Sequence, residues 1–355
     1  MKIAFLTKYS DLGASSRLRS YQYIPLLKEK GHSVKVYPFF DSNYLKSLYA
    51  GNKISKWSLL RFYFRRLINI LRLSKFDVVV IEKECFPYLP SFFEMLAPLV
   101  NRSYIIDYDD AIFHNYDTGS AFKKAILSNK LDYLIRNSKV VHVGNDYLGN
   151  YMTSKGATTV KYLPTVVDFG RYNNAKIPKF SCKNDIVIGW IGSPSTTKYL
   201  VNLIPTLEMI SKEFNIRLLA IGASPIESEL LEIEVIEWTE DSEVASLSRI
   251  DVGVMPLNDS IWEQGKCGYK LIQYLALGKP VIASPIGVNN FIVDESVGFL
   301  ASSESEWYEK IRFLVSNEDM RNNLGENGKR RVEQIFSLSV ASEILNSSLE
   351  DIYEN

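Results

Sequence analysis

Cysteine is scarce: Cys85, Cys182 and Cys267 are the three in 355 residues, far apart and with no Cys-x-x-Cys pair. That spacing gives no disulfide framework and no cysteine zinc site, and it fits a reducing compartment. Histidine is equally rare, at His32, His114 and His142, so neither a His-Glu-x-x-His zinc motif nor a Ser-His-Asp constellation is evident. An excess of either charge sign is also missing, because Lys plus Arg and Asp plus Glu both total 41. Without a basic bias, nucleic acid is not an expected partner. No apolar run approaches the ~18 residues of a membrane span. The opening run Met1–Leu6 is too short for a secretory leader, so a cytoplasmic location is expected.

What is present suffices for two cores. At 355 residues and 46% hydrophobic content, two domains of ordinary size are expected. Short apolar runs at Lys2–Leu6, Ser33–Tyr37, Asp77–Ile81, Ser103–Ile106 and Lys139–Val143 read as strands. Helical patterns intervene over Ser16–Lys30, closed by Gly31, and over Pro87–Val100 and Ser120–Asn137. Pro164–Asp185 lacks periodicity and reads as a linker. Alternation then restarts through Ile186–Ile191, Arg217–Ile221, Glu234–Ile236, Asp251–Met255 and Pro280–Ala283. Helices follow from Ser303, with a capping box expected at Ser316-x-x-Asp319. Each half therefore predicts a parallel sheet covered by helices on both faces.

Two stretches have the chemistry of a phosphate site. Ile188 to Lys198 is a strand, a turn at Gly192-Ser193 and a helix start carrying Ser195, Thr196 and Lys198. Glycine allows close approach, hydroxyls bond phosphate oxygens, and Lys198 neutralises them; an ordinary capped helix is the alternative. Glu263-Gln-Gly-Lys266-Cys-Gly268-Tyr269-Lys270 then runs through Gln273 to the turn Gly278-Lys279-Pro280 and a buried strand. Lys266 and Lys270 are either phosphate ligands or a solvated helix face.

From Ile186 to Tyr353 these motifs resemble family 4 glycosyltransferases, retaining enzymes of the GT-B fold; the first half is also consistent with that family. The resemblance implies an α/β architecture of two Rossmann-like doubly wound domains facing a cleft. Residues 1–170 would be the acceptor domain and 171–337 the nucleotide-sugar donor domain, with 338–355 a helix crossing back to the first. It implies donor contacts at Gly192, Ser193, Lys198, Glu263, Lys266, Gly268, Tyr269, Lys270 and Gln273. Two departures stand out. Ser193 occupies the place of the family's phosphate-binding arginine, and Gln273 that of a ribose-binding glutamate. Trp238 lies where the family holds the nucleobase, although a core role fits it equally. In the first domain Gly13, Arg17 and Arg19 fall on the family's glycine loop near the donor. Cations in a helix's first turn oppose its dipole, which favours an anionic partner over mere solvation.

The run Asp107-Tyr-Asp109-Asp110-Ala-Ile-Phe-His114 is ambiguous. Asp-x-Asp in a glycosyltransferase can hold a metal, but a second βα series argues for GT-B chemistry, with Asp109 and Asp110 orienting an acceptor hydroxyl. Helix capping is their alternative. His114 would contact a sugar, or be structural like His32 and His142.

The expected activity is sugar transfer from a nucleoside diphosphate sugar to a lipid-linked or cell-envelope glycan, such as lipopolysaccharide or capsule. It needs no metal or other cofactor; the departing phosphate takes the acceptor proton. An epimerase and a non-catalytic nucleotide- or glycan-binding partner are the rival readings. Finally, Lys56–Lys75 interleaves six cations with Trp57, Phe62, Tyr63 and Phe64. It reads as a helix on an anionic membrane surface, at the inner membrane's cytoplasmic face, with Arg61, Arg65 and Arg72 toward lipid and Leu60, Leu67 and Leu71 away from them. Abundant Lys, Asn and Ile suggest a bacterial source.

Overall fold

The computed structural model describes residues 1–175 and 185–354, so Cys182 and part of the expected linker lie outside the described residues. The chain divides into two compact units. The first is Met1–Thr165 with Gly265–Cys267 and Leu338–Asn355; the second is Val166–Gln264 with Gly268–Ser337.

The first unit holds β1 (Lys2–Tyr9), β2 (Ser33–Phe40), β3 (Val78–Glu82), β4 (Tyr104–Tyr108), β5 (Val140–Val143) and β6 (Val160–Tyr162). They form one parallel sheet in the order β2-β1-β3-β4-β5-β6. β3 and β4 are buried at every position, as expected of central parallel strands covered on both faces. The sequence reading missed β6, which has three half-buried residues with Lys161 in the middle and so no apolar signal.

The second unit holds β7 (Ile186–Ile191), β8 (Ile216–Ile221), β9 (Glu232–Ile236), β10 (Val252–Met255), β11 (Val281–Ala283) and β12 (Gly298–Leu300). Their order is β12-β11-β10-β7-β8-β9, again all parallel. Along β7 the side chains alternate between cores: Ile188 and Trp190 pack in one, Val187 and Ile191 in the other. Strand order reverses between β1 and β3 in the first sheet, and between β7 and β10 in the second. In open α/β sheets ligands bind beyond the carboxyl ends of strands at such points.

Several local expectations need correction. The segment Ser16–Lys30 is not one helix but Ala14–Arg19, a 3₁₀ turn at Tyr21–Tyr23, and Ile24–Glu29. Ser20 leaves helical geometry at φ −133°, and Pro25 has no N–H to continue the ladder. Asn317, not Ser316, caps the helix Glu318–Ile335, its side chain accepting from the Met320 N–H at 2.9 Å. The capping box lies earlier, between Ser303 and Glu306. Phe169–Asn173, inside the stretch read as a linker, is a helix capped by Asp168.

The helix Lys56–Leu71 forms, but the leucines expected to face away from the exposed arginines are themselves exposed. Phe62, Arg66, Asn69 and Ile70 are buried, whereas Trp57, Leu60, Phe64, Leu67 and Leu71 are exposed. Arg66 donates to the carbonyls of Thr7 and Tyr37 at 2.6 and 3.0 Å, so the core takes an arginine that satisfies strand-end carbonyls. Arg65 donates to the Phe39 carbonyl at 2.8 Å and pairs with Asp41 at 3.3 Å. Arg61 and Arg72 remain exposed.

The final helix, Leu338–Glu354, packs within the first unit. Asn346 meets His32 at 2.9 Å, Ser348 meets His142 at 3.0 Å, and Asp351 pairs with Lys161 at 2.8 Å. Burial, with Arg19 and Lys161 nearby, pushes the His142 imidazole down to about 3. The unfolded chain binds its proton near pH 6.5 and the folded chain does not, so stability is lost as pH falls from 6.5 toward 3. That loss should reach about 2 kcal/mol at pH 5 for this group alone. Thermal melts at pH 7 and 5 should show it, with His142→Gln flattening the difference; an unchanged pH dependence in that variant would refute the assignment.

Candidate functional site

In the second unit the phosphate-like loop leaves the carboxyl end of β7. Gly192 donates its N–H to the Ile221 carbonyl at 2.9 Å, and a Cβ there would lie 2.1 Å from the buried Trp190 ring, so only glycine fits. The loop caps itself: Ser193 N–H donates to Thr196 Oγ1 at 3.0 Å, and the Ser193 hydroxyl lies 3.0 Å from that of Ser195. Ser193 and Ser195 remain exposed, as does Lys198, whose Nζ sits 5.0 Å above the Tyr199 ring. Lys270, on the helix Tyr269–Ala276, places its Nζ 4.4 Å above the Trp190 ring. The Trp190 indole thus underlies Lys270 and is also the group that a side chain at position 192 would strike.

Gly268 opens that helix at φ +66°, where a Cβ would lie 2.2 Å from Ile292. The loop after β10 turns Glu263 inward: it is buried and accepts from the hydroxyls of Tyr199 and Ser260. Gln273 is buried too, its amide donating to the Tyr172 hydroxyl at 3.0 Å. Tyr172 donates to Glu243 at 2.9 Å, and the same carboxylate accepts from the Trp238 indole at 2.8 Å. Tyr269 also bonds Tyr172. Gln273 and Trp238 are therefore joined through Tyr172 and Glu243, two residues that sequence reasoning missed. Neither Tyr172 nor Glu243 lies in a recognisable motif, and only the fold brings them beside Gln273.

In the first unit the carboxyl ends of β1, β3 and β4 carry a dense set of charges. Gly13 is buried, and its missing Cβ avoids Tyr9 at 2.4 Å. Arg17 is half-buried. Arg19 does not face a ligand: it is buried, donates through Nε to Asp107 at 2.8 Å, grips that carboxylate again through Nη2, and donates to the Leu163 carbonyl at 2.9 Å. The carboxylate of Asp107 satisfies the cation internally, so the argument from the helix dipole pointed to the wrong partner.

Asp109 accepts from the Ser15 hydroxyl at 2.9 Å and lies 2.7 Å from Lys83 Nζ. Burial pushes its carboxyl up, but Lys83 outweighs this and holds it down at about 2. Lys83 also donates to Ser15 at 2.7 Å, and Ser16 donates to Glu82 at 2.7 Å. Lys83 has φ +65°, a left-handed backbone unusual for a side chain of this size. The sequence signal was available, since Glu82-Lys83-Glu84 puts three charges directly after the apolar run Val78–Ile81. Asp110 is more open, one third exposed, and accepts from the Ala111 N–H at 3.0 Å. Lys266, grouped with this unit, lies 3.9 Å from it.

His114 is buried with both ring nitrogens engaged. Nδ1 lies 2.9 and 3.0 Å from the two Asp117 oxygens, and Nε2 lies 2.6 Å from the Tyr147 hydroxyl.

Comparison with known proteins bears on both units. Residues 185–317 match the family described as glycosyl transferases group 1. The chain is 28% identical over 211 residues to the capsular polysaccharide biosynthesis glycosyltransferase CapM of Staphylococcus aureus, covering 53% of this chain and 54% of CapM. It thus spans about half the length of that relative. A glycosyltransferase structure from Rickettsia africae aligns with 100% of this chain and 99% of its own at a TM-score of 0.74 and 15% identity. Anabaena HepE in complex with UDP-glucose aligns at a TM-score of 0.71 and 15% identity, over 99% of this chain and 100% of HepE. At such identities the structural likeness speaks for the fold. With two parallel Rossmann-like sheets and full-length likeness to such structures, the chain has the GT-B fold, and residues 185–317 within it match the glycosyl transferases group 1 model.

Proposed function

We propose that the protein is a glycosyltransferase that moves a sugar from a nucleoside diphosphate sugar to a hydroxyl of a lipid-linked or cell-envelope glycan, as a retaining, family 4-type enzyme. The observation that carries the reading is the loop at the β7–β10 reversal, where exposed Ser193, Ser195 and Lys198 stand at the carboxyl edge of the matched domain. That edge is where a doubly wound sheet takes a nucleotide. The UDP-glucose bound by HepE and the capsule role of CapM support the donor and acceptor classes.

The second unit is the donor side, with Lys198 and Lys270 neutralising the diphosphate. The first unit takes the acceptor, with Asp110 as its accessible carboxylate. Catalysis is then positioning and charge stabilisation, and the departing phosphate oxygen accepts the proton of the attacking hydroxyl. Asp107 and Asp109 are each already ion-paired by Arg19 and Lys83, which favours transfer without a metal. Nucleoside diphosphate release should depend on added glycan acceptor and persist in EDTA. Loss of release in EDTA, restored by Mn²⁺, would overturn the metal-free reading.

The same proposal places the enzyme on an anionic membrane. No described helix is long and apolar enough to cross one. The helix Lys56–Leu71 instead exposes Trp57, Leu60, Phe64, Leu67 and Leu71 along one side, with Lys56, Arg61, Arg72 and Lys75 exposed on it or just beyond. Apolar side chains flanked by cations suit an interfacial helix, and each cation near anionic lipid contributes about 1 kcal/mol. Co-sedimentation with phosphatidylglycerol vesicles should weaken with salt and fall sharply for Trp57→Ser/Phe64→Ser and for Arg61→Glu/Arg72→Glu. Recovery of both variants equal to wild type would reject the assignment.

A further inference from the structure

His114 cannot meet a sugar in the simple way its position suggests, because its ring is held at both nitrogens. The turn after β4 carries Phe113 and the short helix His114–Asp117, while β5 leads through Asn145 into the helix Asp146–Ser154, which carries Tyr147. β4 and β5 are adjacent strands, so these two elements share one edge of the first sheet. The Asp117 carboxylate spans Nδ1 at 2.9 and 3.0 Å, which keeps a proton on that nitrogen in the neutral ring. Nε2 then presents a lone pair and accepts the Tyr147 O–H at 2.6 Å. The ring has little freedom to do otherwise, since Phe113 crosses it edge-on at 4.6 Å.

With its proton committed to His114, the phenol of Tyr147 has only oxygen lone pairs left to offer an incoming molecule. Tyr147 is half-buried, whereas His114 and Phe113 behind it are buried. Its ring also stacks with Phe113 at 6.4 Å, and Phe113 stacks in turn on Tyr151 at 3.5 Å.

We propose that Tyr147, held by His114 and Asp117, is the group that meets the substrate at this edge, accepting a hydrogen bond from a sugar hydroxyl. This rests on the glycosyltransferase reading and deepens it. His114 and Asp117 are positioning residues: they fix the direction of the phenolic proton and so the direction of the remaining lone pairs. The hydroxyl belongs either to the acceptor glycan or to the donor sugar, two sources of one chemistry.

The test measures nucleoside diphosphate release for wild type, Tyr147→Phe, His114→Phe and the double variant. UDP-glucose, UDP-N-acetylglucosamine and GDP-mannose serve as donors and n-octyl glycosides as acceptors. Tyr147→Phe keeps the stacked ring and removes only the oxygen, so KM for one substrate should rise about five- to tenfold with kcat little changed. A rise confined to the acceptor KM assigns the hydroxyl to the acceptor; a rise confined to the donor KM assigns it to the donor sugar. His114→Phe should raise the same KM, and the double variant should be no worse than the worse single variant, since both act through one bond. If His114→Phe melts well below wild type, Asp117→Asn replaces it. Unchanged KM for both substrates in Tyr147→Phe, or fully additive losses, would overturn the inference. A wild type inactive with every donor–acceptor pair would instead count against the glycosyltransferase reading itself.

Discussion

Replacing Lys83 by methionine should destabilise the first unit by about 3–5 kcal/mol at pH 7, because it leaves the buried Asp109 carboxylate without its cation. In the native protein Lys83 Nζ lies 2.7 Å from Asp109, itself mostly buried, with buried Glu82 beside them. Asp109 is held at about 2, below its unfolded value of 3.8, so the stability it contributes is present above pH 3.8 and lost as pH falls through 2. Without Lys83 the direction reverses: burial raises the carboxyl, the folded form takes up a proton first, and the variant gains relative stability on acidification. The gap between the two proteins should therefore narrow from pH 7 to pH 4. Transfer should fall in parallel, since Ser15 and Asp109 lose a common anchor. Melting curves at the two pH values decide the matter; a variant as stable as wild type at pH 7, or a constant gap, would contradict the pairing.

Arg19→Met should cost a similar amount, about 3–5 kcal/mol, through the same mechanism applied to Asp107. Arg19 also satisfies the Leu163 carbonyl, so its loss strips a second buried acceptor. Burial already raises the Asp107 carboxyl even with Arg19 in place, which shows how much the cation is needed. The double replacement Arg19→Met/Asp107→Leu should recover most of the loss, because a buried ion pair exchanged for apolar side chains is often near neutral. Denaturant unfolding of single and double variants measures this. If the single variant were as stable as wild type but bound nucleotide poorly, Arg19 would be a ligand after all.

The contrast between Arg19 and Lys198 shows what could be read from the chain. Ten of the twelve strands among the described residues were legible within a few residues, because central parallel strands are short, continuous apolar runs bounded by polar loops. β6 and β12 were hidden because each is an edge strand of three mostly half-buried residues, which needs no apolar run. The loop Gly192–Lys198 was legible because strand, glycine, hydroxyls and lysine are contiguous. Partners of buried charges were not: Asp107 lies 88 residues from Arg19, and Asp109 lies 26 from Lys83, so only the sheet order shows that these pairs are internal. The helix Lys56–Leu71 was legible as amphipathic, but its orientation was not. Spacing alone does not reveal that Arg66 reaches the Thr7 and Tyr37 carbonyls, drawing Phe62 and Ile70 inward and leaving the leucines outside.

Calorimetric titration of the purified protein with UDP, GDP and dTDP, repeated on Lys198→Ala, tests the central claim most directly. One of the three should bind at a single site per chain. Losing one charge-assisted bond to phosphate, worth about 1.5–3 kcal/mol, should weaken that binding roughly 10- to 150-fold. No binding of any nucleoside diphosphate to wild type, or the same affinity in Lys198→Ala, would contradict a donor site at the β7–β10 edge.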